Sequence, residues 1–231
     1  MIILGHGGSN WQSGGYQRDS LAAFKMCKQL GAKGVHTGVR ITSDDQLVLL
    51  HDRSVKGLPV HETKLKDLNS NLGYKVTRLD DLLQWASTDF FLNLEVKSPR
   101  VVVKLVDTLK NHRNKRVLVT SLWHTAVLNV GRLCSNLPKF ECGIIMSCRP
   151  LFIQPFLQLL PHKMGHLVWN YEIYDSELSH KLDKFRHYVY NTEGEDVSHI
   201  DGIITNNVKV YIDRKKERNE KQRRRVRKVY K

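Results

Sequence analysis

The sequence predicts an α/β protein folded as a closed (β/α)8 barrel, and three observations predict it. Short apolar runs rich in β-branched residues alternate with helical patterns along most of the chain, which is the signature of βα units on a mainly parallel sheet. The strand-like runs number about eight, the count that closes such a barrel. A chain of 231 residues, 41% of them hydrophobic, is enough for one core of that size. A doubly wound open sheet is the alternative that the same alternation allows.

The elements follow in order. Residues 2–5 read as the first strand, and 20–30 as a helix with Asp19 or Ser20 as its cap and Gly31 as its stop. Strand-like segments 34–42 and 46–51 flank the turn Ser43-Asp44-Asp45, and 79–86 is a short helix. Strand 90–96, helix 100–111, strand 117–122 and helix 125–133 come next, followed by strand 142–146 and helix 151–160. Strand 166–171, helix 176–185 and strands 188–190 and 202–205 complete the pattern. Residues 195–200 are too few for a helix between the last two strands, so the barrel is expected to be trimmed there. Domain organisation is read as one barrel over 1–212 and a basic tail over 213–231, disordered or helical.

Charge is concentrated at the end. From Arg214 to Lys231 eleven Lys or Arg face two Glu, a net of +9 out of the chain's +14, which leaves +5 for the rest. The runs Arg214-Lys215-Lys216 and Arg223-Arg224-Arg225 suit a polyanion, an acidic membrane surface or a nuclear-localisation signal, a solvated terminus without a partner being the plain alternative. Cys27, Cys134, Cys142 and Cys148 show no CxxC spacing and predict buried free thiols in a reducing compartment. The longest apolar runs, 117–122 and 152–160, fall short of the roughly 18 to 20 residues a spanning helix needs, so no transmembrane segment is expected. The start MIILGHGG lacks the form of a signal peptide, and an intracellular, cytoplasmic location is expected, with the nucleus as the tail's alternative.

Barrels of this kind carry their chemistry at the C-terminal ends of the strands. Gly5-His6-Gly7-Gly8, His36, His51-Asp52 and Asn93-Leu94-Glu95-Val96-Lys97 should therefore meet at one mouth. Two histidines suit phosphoryl chemistry, because one takes a proton from the attacking oxygen while the other protonates the leaving oxygen. A nearby carboxylate can hold a divalent cation that offsets phosphate charge. Trp123, Trp169 and Tyr171 lie near strand ends and are candidates for lining a substrate pocket; packing is their plain alternative, as an ion pair with Lys97 or Arg40 is for Glu95.

The runs GHGG, SLAAFKMCKQLGAKGV, RITSDDQLVLLHDRSV, LNLEVK and IDGIITNN, in that order, resemble the glycerophosphodiester phosphodiesterase family over roughly residues 2–207. The resemblance implies a TIM barrel, phosphoric diester hydrolysis, a divalent cation (Mg²⁺ or Ca²⁺) and a glycerophosphodiester or lysophospholipid ligand. It matches His6 and His51 to the family's acid/base histidines, Glu95 to a metal-binding carboxylate and Lys97 to a lysine near the phosphate, with Asp52 and Trp169 as further candidate substrate-binding residues. The family's Glu-x-Asp ligand pair is here His36-Thr37-Gly38, its Arg after the first histidine is Gly7, and its Glu-Asn-Thr motif is Arg18-Asp19-Ser20. His36 could bind a transition metal, but the oxygen cage for Ca²⁺ or Mg²⁺ is depleted. The expectation is a diverged member with weak or absent metal-dependent hydrolysis. The alternatives are an active phosphodiesterase with an altered metal site and a non-catalytic scaffold acting through its tail.

Overall fold

The structure, a computed structural model, describes residues 1–8, 15–149 and 164–229. Eight parallel strands close into a barrel: β1 (Ile2–His6), β2 (Gly34–Ile41), β6 (Phe91–Val96), β7 (Val117–Ser121), β8 (Phe140–Met146), β9 (His166–Asn170), β10 (Arg186–Tyr190) and β11 (Gly202–Thr205). Closure is direct, since β1 pairs in parallel with both β2 and β11, and the open-sheet alternative is thereby excluded. Helices α1 (Leu21–Gln29), α3 (Leu79–Trp85), α4 (Val102–Asn111) and α5 (His124–Leu133) follow the early strands, with α6 (Ser176–Lys181) between β9 and β10. Ser20 caps α1 by accepting a hydrogen bond from the Ala23 amide at 3.1 Å.

Alternation of side chains along each strand separates two apolar layers. Leu4, Phe91, Leu118, Ile145, Val168, Tyr188 and Ile204 fill the lumen, while a larger cluster that includes Ile3, Val35, Leu92, Val119, Ile144 and Trp169 packs between sheet and helices. Gly34 is required where β2 meets β6, because a β-carbon there would lie 1.9 Å from the Phe91 carbonyl oxygen. The lumen plug supports the mouth from below.

Four features depart from the sequence reading. The strand-like segment 46–51 contributes only β3 (Leu47–Leu49), antiparallel on β2. After it comes an unforeseen insertion, the hairpin β4 (Ser54–Val55) and β5 (Leu58–Pro59) and helix α2 (Leu65–Leu72), packed on its own cluster of Val48, Leu50, Val60, Leu68 and Val76. The helix expected over 176–185 stops at Lys181, and Cys148 is exposed where a buried thiol was expected. The helix expected over 151–160 lies outside the described residues. Residues 191–201 contain no helix, as the trimmed barrel requires. The chain ends in α7 (Val208–Val229), whose first turns bury Val208 and Tyr211 against the barrel. Among the described residues no helix is long and apolar enough to cross a membrane.

Candidate functional site at the barrel mouth

The barrel delivers its polar residues by register. His6 closes β1 opposite His36 of β2, and Gly38 lies opposite Glu95 of β6. These positions alternate with core residues such as Val35 and Val39, so their side chains share the lumen face. His51 reaches the same mouth from the turn after β3, where the Arg40 guanidinium donates to its carbonyl oxygen through Nη2 at 2.7 Å and Nε at 3.3 Å. The His6 ring lies 5.2 Å from that of His36 and 6.4 Å from that of His51, centroid to centroid. Together with Arg18, Glu95, Lys97, Tyr190, Asn191 and Asn206, these histidines line a cavity of about 390 Å³. Its apolar wall is Leu122, Ile145, Val168 and Ile204.

Glu95 is the only carboxylate on that wall among the described residues, and it is already engaged. Its Oε2 accepts from Lys97 Nζ at 2.7 Å and from His36 Nε2 at 3.2 Å. Burial alone would raise its pKa, but His36 and Lys97 outweigh burial and hold the carboxyl at about 2, so it is ionised throughout the neutral range. His6 goes the other way: burial, reinforced by His36, Arg18 and His51, holds its pKa well below the ordinary value of 6.5. A neutral His6 accepts at Nε2 from Arg18 Nη2 at 3.0 Å, which assigns the ring proton to Nδ1. Nδ1 of His51 pairs with Asp52 Oδ1 at 2.8 Å, leaving Nε2 of that ring as its other polar edge. That hydrogen bond in turn keeps the Asp52 carboxyl below the usual carboxylate range. Asp52, with its side chain 73% exposed, orients His51 and does not itself line the cavity.

Three aromatic candidates need correction. Trp169, read as a pocket residue, is 1% exposed in the layer between sheet and helices, with its indole N–H donating to His187 Nδ1 at 3.1 Å. The reason is strand parity: Val168 faces the cavity, so Trp169 faces away. Tyr171 and Trp123 are exposed beside the mouth and do not line this cavity either. His36, read as a substitute metal ligand, turns Nε2 to Glu95, and its buried Nδ1 has no hydrogen-bond partner among the described residues.

The residues do not fit a Ca²⁺ or Mg²⁺ ion. A β-carbon on Gly38 would come within 2.8 Å of the Leu50 carbonyl oxygen and 2.9 Å of Lys97 Cε, so the lysine stem fills the space an aspartate would use. Gly7, at φ +64°, shows the same exchange: a β-carbon there would lie 2.6 Å from Arg18 Cγ. Two long cationic side chains thus cover two glycines. Among the described residues no group of three or more His, Cys, Asp or Glu is arranged to hold a metal. A hard cation needs six or more oxygens, and this wall offers one carboxylate that is bound to an ammonium.

Sequence reasoning missed Arg18, Tyr190, Asn191 and Asn206 as lining residues. Arg18 was visible only as a departure from a motif; the paired signal was loss of an arginine at position 7 together with its gain at position 18. Asn206 stands in the run IDGIITNN that already carried the resemblance.

The model of the Glycerophosphoryl diester phosphodiesterase family matches residues 8–119. The chain is 27% identical over 169 residues to a glycerophosphodiester phosphodiesterase of Caldanaerobacter subterraneus subsp. tengcongensis, covering 62% of this chain and 68% of that protein. It is 23% identical over 178 residues to a glycerophosphodiester phosphodiesterase of Bacillus altitudinis, covering 66% and 71%. In fold it is similar to a glycerophosphodiester phosphodiesterase of Thermotoga maritima, with a TM-score of 0.75 at 21% identity over 92% of this chain and 97% of the other. A phosphodiesterase of Oleispira antarctica, solved in complex with the product sn-glycerol-3-phosphate, superposes with a TM-score of 0.74 at 19% identity, over 91% and 95%.

Proposed function

The chain is a relative of the glycerophosphodiester phosphodiesterase family, and from that premise we propose that its mouth cavity binds the phosphate of a glycerophosphodiester or lysophospholipid without a divalent cation, metal-dependent hydrolysis being weak or absent. The observation that carries this reading is the Lys97–Glu95 contact at 2.7 Å, with the lysine stem over Gly38. That ammonium is a fixed positive charge on the cavity wall, beside a position that carries no carboxylate. Arg18 and Lys97 supply charge-assisted donors, and Asn191, Asn206 and Tyr190 supply neutral polar groups around the same space. The Oleispira phosphodiesterase holds sn-glycerol-3-phosphate, a ligand whose charge suits a cavity of this sign.

A second reading has its own support in the histidines. His6 is neutral, and its Nε2 can take a proton once Arg18 turns from it to the phosphate, while His51, oriented by Asp52, is placed to give one to a leaving oxygen. Such hydrolysis would survive chelation. The basic segment 213–231 we assign to polyanion or acidic-membrane contact, appended to a barrel that ends near residue 212.

The test is hydrolysis of glycerophosphocholine by the purified chain in chelator, Mg²⁺ and Ca²⁺. The proposal expects no stimulation by either cation. Residual turnover in chelator that His51→Ala abolishes would favour the second reading, and strong Mg²⁺ or Ca²⁺ stimulation would overturn the first.

A further inference from the structure

Beside the mouth lies a second cavity of about 420 Å³, whose polar wall is Arg40, Arg53, His61, Lys97 and Arg100. Ile41, Val60 and Pro99 make its apolar base, and Trp123, 54% exposed, stands at its side. No Asp or Glu among the described residues lines it. It sits at the same end of the barrel, since Arg40 is near the end of β2, Lys97 and Arg100 follow β6, and Trp123 follows β7. Lys97 lines both cavities, so the two adjoin across one side chain.

The wall is electrostatically incomplete. Arg53 and Arg100 are exposed and have no ion-pair partner among the described residues. Lys97 is paired with Glu95, and Arg40 feels the charges of Glu95 and Asp52. The uncompensated charge on this wall is that of Arg53 and Arg100, and it favours an entering anion. Guanidinium groups offer paired N–H donors that match the tetrahedral oxygens of phosphate, and several of them suit a dianion.

We propose that this second cavity binds a phosphate monoester on the head group of the ligand whose phosphodiester occupies the mouth, which makes the preferred ligand a glycerophosphodiester with a phosphorylated polyol head group. The inference rests on the mouth reading above. Lys97 is the link, donating toward both phosphates, and Trp123 offers a face against which the polyol ring packs. Arg53 comes from the β3–β4 turn of the insertion, so the insertion that the sequence hid supplies the selectivity.

Calorimetry in chelator tests this with three probes: glycerophosphocholine, glycerophosphoinositol, and glycerophosphoinositol 4-phosphate. The expected result is that the phosphorylated head group binds roughly tenfold or more tightly than glycerophosphoinositol, as two new charge-assisted contacts require. Arg53→Gln with Arg100→Gln should erase that gain while glycerophosphocholine binds as before. Both side chains are exposed, so the variant keeps its fold, and a melting curve checks this. Equal affinity for the two inositol probes, or a gain that persists in the double variant, overturns the inference while leaving the mouth reading intact. Failure of all three probes to bind the unmodified chain defeats the mouth reading itself.

Discussion

Lys97 lies across Gly38: its ammonium is 2.7 Å from Glu95 Oε2, and its Cε would be 2.9 Å from any β-carbon placed on the glycine. The lysine stem lies over a position that carries no side chain, and its charge is held in place by Glu95.

Replacing Lys97 with Met should expose this directly. The variant keeps the stem but leaves Glu95 with His36 alone, and removing one partner of a buried ion pair costs roughly 3 kcal/mol. Urea denaturation should record a loss of that order, and phosphate affinity should fall in parallel. An unchanged midpoint together with unchanged affinity would count against the role given to Lys97.

Restoring the family's ligand pair alone should fail. His36→Glu with Gly38→Asp returns two carboxylates, but the second must displace Lys97 Cε and approach the Leu50 carbonyl oxygen. Adding Lys97→Ala clears the lysine but not the Leu50 carbonyl oxygen, which belongs to the backbone. Calorimetric Mg²⁺ or Ca²⁺ binding should therefore stay absent from the triple variant as well as the double one, since ligands act as a coupled unit. Tight binding by either variant would show that crowding at position 38 does not block the site.

Two groups give separate pH windows. His6 has a folded-state pKa below its unfolded value near 6.5, so folding favours the neutral ring; its contribution is complete above that value and is lost as pH falls from there toward the folded pKa. Glu95, held at about 2, contributes above its unfolded value of 4.5 and loses that contribution only as pH falls from there toward 2. Between pH 7 and 5, a His6→Asn variant should thus lose less stability than the unmodified chain. A parallel decline of the two melting temperatures over that range would contradict the assignment of His6.

How much of this was legible follows from what each signal encodes. Strand-end spacing announced His6, His51, Glu95 and Lys97 because barrel register converts position along a strand into height in the lumen. Parity was legible too, yet proximity to a strand end led to Trp169 being read as pocket; Val168 takes the inward position and Trp169 the outward one. Trp169→Phe should accordingly leave ligand affinity unchanged while costing about 1 kcal/mol for the lost bond to His187. The insertion between β3 and α3 was missed because its strands are two residues long and its small core forms only against Val48 and Leu50. The compensation of Gly7 by Arg18 depends on a contact across ten residues of chain that no local pattern reveals.

The C-terminal segment makes a further prediction. Val208 and Tyr211 are buried before the main charge begins, so a chain ending at Ile212 should melt close to the full one. Its retention on anionic vesicles or nucleic acid should drop, with the full chain's binding weakening steeply as salt rises. Equal retention of both forms would remove the segment as a contact surface.

The central claim is that fixed cations replace the metal in holding phosphate. Titration of glycerophosphocholine into the full chain by calorimetry, first in chelator and then with saturating Mg²⁺, tests it most directly. The account predicts one site per chain with the same affinity in both conditions, weakened by Lys97→Met and by Arg18→Gln. Binding seen only when Mg²⁺ is present would contradict it.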